Sequence, residues 1–166
     1  MIILEKYWIW FSKINKIGAK AQKELLEKYK NPKAIWNLSK KELLKNHNLN
    51  EKQIDIILET ENRKNLEKYI EQMKKNRIKM ITIKDKCYPE KLRNIYDPPI
   101  VLFVKGNEKI LNKKSIAIIG SRSCTEYGKK VAERFSYNLS KNNINIISGL
   151  ANRNRCLCTF RCNKGK

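Results

Sequence analysis

The sequence predicts an α/β chain, with a small bundle of short helices followed by an incomplete parallel sheet. Three observations predict it. Apolar residues recur at helical spacing from Lys6 to about Lys75. The period changes to strand-like alternation after Asn76. A strand, a glycine turn, a helix and another strand then follow in order between Ser115 and Ile147.

The helical half is marked by its punctuation. Ala21, Leu25, Leu26 and Tyr29, and later Ile54, Ile57 and Leu58, fall at the spacing of one helix face. Ile14-Asn15-Lys16-Ile17-Gly18 separates the first helix from the second. Asn31-Pro32 stops the second and starts a third. Ser39-Lys40-Lys41-Glu42 is a capping box ahead of Leu43-Leu44, and Asn50 can cap the helix opened by Glu51. Leu66, Tyr69, Ile70 and Met73 continue a last helix. Trp8, Trp10, Phe11 and Trp36 are assigned to the core of this bundle rather than to base stacking.

In the second half, Ile78-Lys79-Met80-Ile81-Thr82-Ile83 alternates as a half-buried strand does. Tyr88-Pro89 and Asp97-Pro98-Pro99 bound an irregular stretch, and Ile100–Val104 is a second strand ended by Lys105-Gly106-Asn107. Ser115 to Ile119 reads as a buried strand that runs directly into Gly120-Ser121-Arg122. A helix from about Glu126 to Lys141 carries Val131, Ala132, Phe135 and Leu139 on one face. Ile144 to Ile147 is the next strand, ending in Ser148-Gly149. Strand, turn, helix, strand is a right-handed βαβ unit, so this half is expected to be a parallel, Rossmann-like sheet. The expected domains are therefore 1–75, helical; 76–151, the first part of a Rossmann-like core; and 152–166, a tail with no hydrophobic period.

Composition narrows the function. The 166 residues include 37 Lys+Arg against 16 Asp+Glu, a formal net charge of +21. Basic and acidic residues number 19 and 10 in residues 1–80, 13 and 6 in 81–151, and 5 and none in 152–166. An excess spread over the whole chain is the electrostatic footprint of a nucleic-acid binder. Codon bias toward A/T would also inflate Lys, Asn and Ile. Mean hydropathy is −0.64, and no apolar run approaches the ~20 residues that cross a bilayer. Glu5 and Lys6 interrupt the N-terminal apolar residues, so no secretory signal peptide is expected. The expectation is a cytoplasmic protein. Five cysteines, three of them Cys156, Cys158 and Cys162, form no disulfide framework. Those three lack the fourth ligand that zinc takes, so no metal site is expected. His47 sits in a polar loop.

The chemistry concentrates at strand ends. In open parallel sheets, ligands bind beyond the carboxyl ends of the strands. Gly120 allows close backbone approach to a phosphate, and the hydroxyl of Ser121 and the following amides can donate to its oxygens. The helix N-terminus adds a positive dipole end, and Arg122 offers a bidentate fork. Ser148-Gly149 ends the neighbouring strand. The plainer reading of Gly120 is a tight turn. The full G-x-G-x-x-G of a dinucleotide fold is missing, and neither Ser121 nor Ser148 has a histidine partner, so neither a cofactor nor catalysis is called for.

Tyr88-Pro89-x-x-Leu92, Asp97-Pro98-Pro99 and Leu102-Phe103-Val104-Lys105-Gly106-Asn107 resemble the DNA-processing protein A family (DprA/Smf). So do Ile116-Ala117-Ile118-Ile119-Gly120-Ser121-Arg122, Thr125-x-Tyr127-Gly128 and Ile147-Ser148-Gly149-Leu150-Ala151. The match is ordered and spans residues 78–151. The helical part is similar to the sterile-alpha-motif or helix-hairpin-helix modules that often precede this core. The resemblance implies a non-enzymatic, dimeric protein of natural transformation. Such proteins bind and protect incoming single-stranded DNA and help load the strand-exchange recombinase. It carries the phosphate pocket onto Gly120, Ser121, Arg122, Ser148 and Gly149; Lys129 and Lys130 are added from position alone. Two other readings are an enzyme acting on nucleoside phosphates, of the phosphoribohydrolase type, and a bare helical DNA-binding module.

After Ala151 the family pattern calls for a glycine-aspartate element and an Ala-His pair, but the chain reads Asn152-Arg153-Asn154-Arg155-Cys156. Asn152 to Lys166 can be encoded so that a one-nucleotide shift reads Ile-Gly-Ile-Asp-Ala-Tyr-Ala-His-Leu-Gly-Ala-Ile-Lys-Gly. That contains the expected element. Residues 152–166 are accordingly expected to be a frameshifted, non-native tail on an N-terminal fragment, with impaired function and without the half of the core that would supply much of any dimer surface.

Overall fold

The fold was described on a computed structural model, which covers residues 2–14, 17–46, 49–59, 63–120 and 125–149. Ser121, Arg122, His47, Cys124 and the tail 152–166 lie outside the described residues. Contacts group the chain into two compact units, residues 1–111 and 112–166. The switch of period after Asn76 is therefore a change of secondary structure inside the first unit, and the packing boundary follows Leu111.

The first unit opens with helices α1 (Ile2–Lys13), α2 (Ala19–Tyr29), α3 (Pro32–Trp36), α4 (Lys40–Leu44), α5 (Glu51–Leu58) and α6 (Leu66–Lys75). Local side-chain bonds set their starts. Asn31 Oδ1 accepts from the Ala34 amide at 2.9 Å, and Pro32 occupies the first turn, where its missing N–H costs nothing. Ser39 and Glu42 form the capping box read from the sequence. Asn50 makes a second one: its Oδ1 accepts from the Gln53 amide at 2.9 Å, and Gln53 Oε1 accepts from the Asn50 amide at 3.0 Å. α1 begins at Ile2, ahead of the Lys6 start that the sequence suggests.

These short helices depend on tertiary packing, because an isolated helix of this length is marginal in water. Trp10, Phe11, Ile35, Leu43, Ile54 and Ile57 are fully buried. Trp36 receives Trp10 and Tyr7 in edge-on contacts, with ring centroids 5.0 and 5.3 Å away. The Arg63 guanidinium lies 4.3 Å from the Trp36 ring and donates through Nη2 to the Trp36 carbonyl at 3.0 Å. The aromatics assigned to the core are thus core residues, Trp8 and Trp36 at its edge.

Strands β1 (Ile78–Thr82) and β2 (Val101–Lys105) complete this unit, with helix α7 (Glu90–Arg93) between them. They pair antiparallel, Ile78 opposite Lys105 and Thr82 opposite Val101. This corrects the expectation that all the strands after residue 76 form one parallel sheet. The link from Ile83 to Ile100 contains only the four-residue α7 and proline turns, and its two ends are tied together, the Ile83 amide donating to the Ile100 carbonyl at 2.9 Å, so the chain doubles back. Within the link, Asp85 Oδ2 accepts from both the amide and the hydroxyl of Thr82, at 2.6 and 3.0 Å. Tyr88 is buried and its hydroxyl donates to the Pro99 carbonyl at 2.6 Å. Ile100 and Val101 join the helical core. β2 ends at Gly106, whose φ of 108° is open to glycine and strained for other residues.

The second unit contains β3 (Ser115–Ala117), α8 (Glu126–Lys141) and β4 (Asn145–Ile147), the strands paired in parallel. The α/β class with a helical N-terminal part is therefore as the sequence predicts.

Two substitutions test this packing. Ile35→Ala is expected to lower unfolding free energy by about 2–5 kcal/mol through the cavity it leaves, read from the urea midpoint followed by tryptophan fluorescence. Tyr88→Phe removes one hydrogen bond and is expected to cost about 1 kcal/mol in the same assay.

Candidate functional site

The site is built from the two parallel strands outward. Ser115, Ile116 and Ala117 lie opposite Asn145, Ile146 and Ile147. The Ile118 amide extends the ladder by donating to the Ile147 carbonyl at 3.0 Å. Because the strands run the same way, Gly120 and Ser148-Gly149 leave the sheet at the same end. Those three of the sequence-predicted residues are thus brought to one edge by the ladder itself; Ser121 and Arg122 follow Gly120 in the chain, outside the described residues.

α8 starts immediately beyond that loop. Thr125 Oγ1 accepts from the Gly128 amide at 3.1 Å and caps the first turn. α8 packs on β4, and Val131, Ala132, Phe135 and Leu139 face β3 across a cavity of about 440 Å³, the face read from the sequence. Gly120 and Gly128 also line this cavity, so backbone without side chains flanks the strand-to-helix turn. Ser136 is completely buried, its hydroxyl donating to the Ala132 carbonyl at 2.7 Å. The cavity is open to solvent: Ile116 and Phe135, which line it, and Ile147 are each about half exposed or more.

The two added lysines differ. Lys129 is ion-paired with Glu126 one turn back, and that bond holds the Glu126 carboxyl below its usual range. Lys130 is exposed and makes no ion pair among the described residues. Two residues that sequence reasoning did not assign share its face: Tyr127, 77% exposed, and Arg134, also exposed. Their spacing from Lys130, three before and four after, was the available signal. An exposed aromatic ring followed along one helix face by two cations can stack a base and neutralise phosphates.

Two parallel strands joined through a glycine turn and a long helix define a protein of the Rossmann-like α/β class, here carried behind a helical unit. Comparison with known proteins narrows it. The family model for DNA recombination-mediator protein A matches residues 79–152. Residues of the chain are 44% identical over 70 positions to DNA processing protein DprA of Streptococcus pneumoniae, covering 42% of this chain and 24% of that protein. They are 44% identical over 75 positions to DNA processing protein DprA of Bacillus subtilis, covering 45% and 25%. A longer match, 26% identical over 151 residues, joins 89% of the chain to 38% of Protein Smf of Synechocystis. The X-ray structure of DprA from Streptococcus pneumoniae superposes with a TM-score of 0.70 and 24% identity over 96% of this chain and 54% of that one. Residues 79–152 are thus similar to the DprA/Smf family. The matches span about a quarter of the length of the first two of these relatives.

Thr125→Ala removes the acceptor that holds the first turn of α8. It is expected to cost about 1 kcal/mol, and hydrogen exchange should show faster exchange at the Gly128 amide while the C-terminal turns stay protected.

Proposed function

We propose that this chain binds single-stranded DNA in recombination-linked DNA processing, taking phosphates at the loops that follow β3 and β4. The observation that carries this reading is the parallel ladder ending at Ile118 and Ile147, which opens Gly120 and Ser148-Gly149 from one edge beside the start of α8. Backbone amides at a glycine turn and a helix N-terminus form a favourable environment for an anion. Ser121 and Arg122 would add a hydroxyl donor and a guanidinium fork, and Lys130 and Arg134 would neutralise the adjoining phosphates. Tyr127 would stack on a base.

The similar proteins support the same reading: they are a DNA processing protein and the DNA recombination-mediator protein family. A net charge of +21 suits a polyanionic ligand. The protein would act in the cytoplasm by binding alone, without catalysis or cofactor. Its role would be to protect the strand and hand it to a strand-exchange recombinase. No helix among the described residues is long and apolar enough to cross a membrane.

Filter binding with single-stranded DNA tests the proposal. Affinity should fall steeply with salt, as expected for counterion release. Arg122→Ala is expected to weaken binding by about 1.5–3 kcal/mol, the value of a charge-assisted contact. Unchanged affinity at low and moderate salt would remove Arg122 from the pocket. Tyr127→Ala should weaken binding by about 1–3 kcal/mol if a base stacks there. Hydrolysis of a nucleoside monophosphate without strand binding would overturn the proposal.

A further inference from the structure

The first unit has a basic cleft of about 490 Å³, separate from the strand ends in the second unit. Four segments form it: α2 from Lys23 onward, the turn after β1, the end of α7 and Ile100 just ahead of β2. Lys23, Lys30, Lys84 and Arg93 line it against one acid, Glu27. Its floor includes Leu26 and Ile100, which are 3% and 2% exposed and belong to the core, so the concavity is held by the fold.

The four cations are not equivalent. Lys84 donates its ammonium to the Lys30 carbonyl at the end of α2, where it satisfies a helix-terminal acceptor. Arg93 donates through Nη2 to the Asp85 carbonyl at 2.8 Å and lies 5.5 Å from the Tyr88 ring centroid. Its Nε is enclosed and has no hydrogen-bond partner among the described residues. These two side chains are anchored. Lys23 and Lys30 are exposed, and neither is ion-paired among the described residues; nor is Glu27. Tyr96, two residues beyond Asn94 of the cleft wall, is 85% exposed.

A cationic trough with an apolar floor, and a strongly exposed aromatic two residues further along the chain, match the way proteins hold single strands: cations track the phosphates while apolar and aromatic groups take bases. An acidic peptide would use the cations but would leave the apolar floor and the ring without partners. We propose that this cleft is a second contact for single-stranded nucleic acid, with Lys23 and Lys30 neutralising backbone phosphates. It rests on the single-stranded DNA reading above and extends it to the helical unit.

The test is a salt titration of oligothymidylate binding by fluorescence anisotropy, with the whole chain. Lys23→Gln with Lys30→Gln removes two charges and leaves the anchored Lys84 and Arg93 intact. Each lost phosphate contact should reduce the steepness of log affinity against log salt by about 0.7. The double variant is therefore expected to lose about 1.4 from the slope, whereas Lys41→Gln with Lys52→Gln, an exposed pair elsewhere on the unit, should leave it unchanged. In the unmutated chain, the oligonucleotide should shield Lys23 and Lys30 from acetylation, a readout that does not depend on how the variant folds. If the unmutated chain binds but neither the slope nor the acetylation changes, the cleft assignment is wrong and the strand-end site stands. If the unmutated chain does not bind at all, both readings fail. Equal shielding by polyglutamate at matched charge would show a site for acidic protein and overturn the nucleic-acid assignment.

Discussion

The parallel pairing of β3 and β4 is the constraint on which the candidate site depends. In an antiparallel pair, the loop after one strand and the loop after the other would lie at opposite edges. Here the ladder from Ser115–Asn145 to the Ile118–Ile147 hydrogen bond brings Gly120 and Ser148-Gly149 out together. Parallel pairing in turn requires a long connection, which α8 supplies. Its Thr125 cap fixes where the helix starts, and so where its free amides stand relative to the glycine turn.

The first unit solves a different problem. None of its helices exceeds twelve residues, so their stability comes from burying a common core. The aromatic group of Trp10, Trp36 and Tyr7 supplies large apolar area, and Arg63 covers its edge while satisfying the Trp36 carbonyl. The β1–β2 ribbon is marginal alone and becomes part of this core through Ile100 and Val101. One consequence is structural: the Lys84–Lys30 hydrogen bond ties the end of α2 to the turn after β1, which shapes the basic cleft.

Electrostatics were legible only as a sum. The sequence shows a large positive excess, but a list of lysines does not separate those already engaged from those presented to solvent. Lys129 is drawn to Glu126 and Lys84 to a helix-end carbonyl, whereas Lys130, Lys23 and Lys30 remain exposed. Tyr127 and Arg134 likewise gain meaning from exposure on one helix face, since the same spacing on a buried face would describe core.

Local chemistry was readable without the fold. The caps at Asn31, Ser39 and Asn50 depend on bonds spanning three residues, and α8 spans the residues that its periodicity marks. The ordered motifs from Tyr88 to Ala151 likewise pointed to the family, because they are contiguous in sequence. Strand partnership was not readable in the same way. Alternation in Ile78–Ile83 establishes a half-buried strand but leaves its partner and direction open, since both pairings bury one face. Only the tertiary structure decided that β1 and β2 pair antiparallel and join the helices. The physical reason is that bonds between residues distant in sequence close the link on itself, Ile83 to Ile100 and Tyr88 to Pro99, while the helical core offers apolar surface for Ile100 and Val101 to cover.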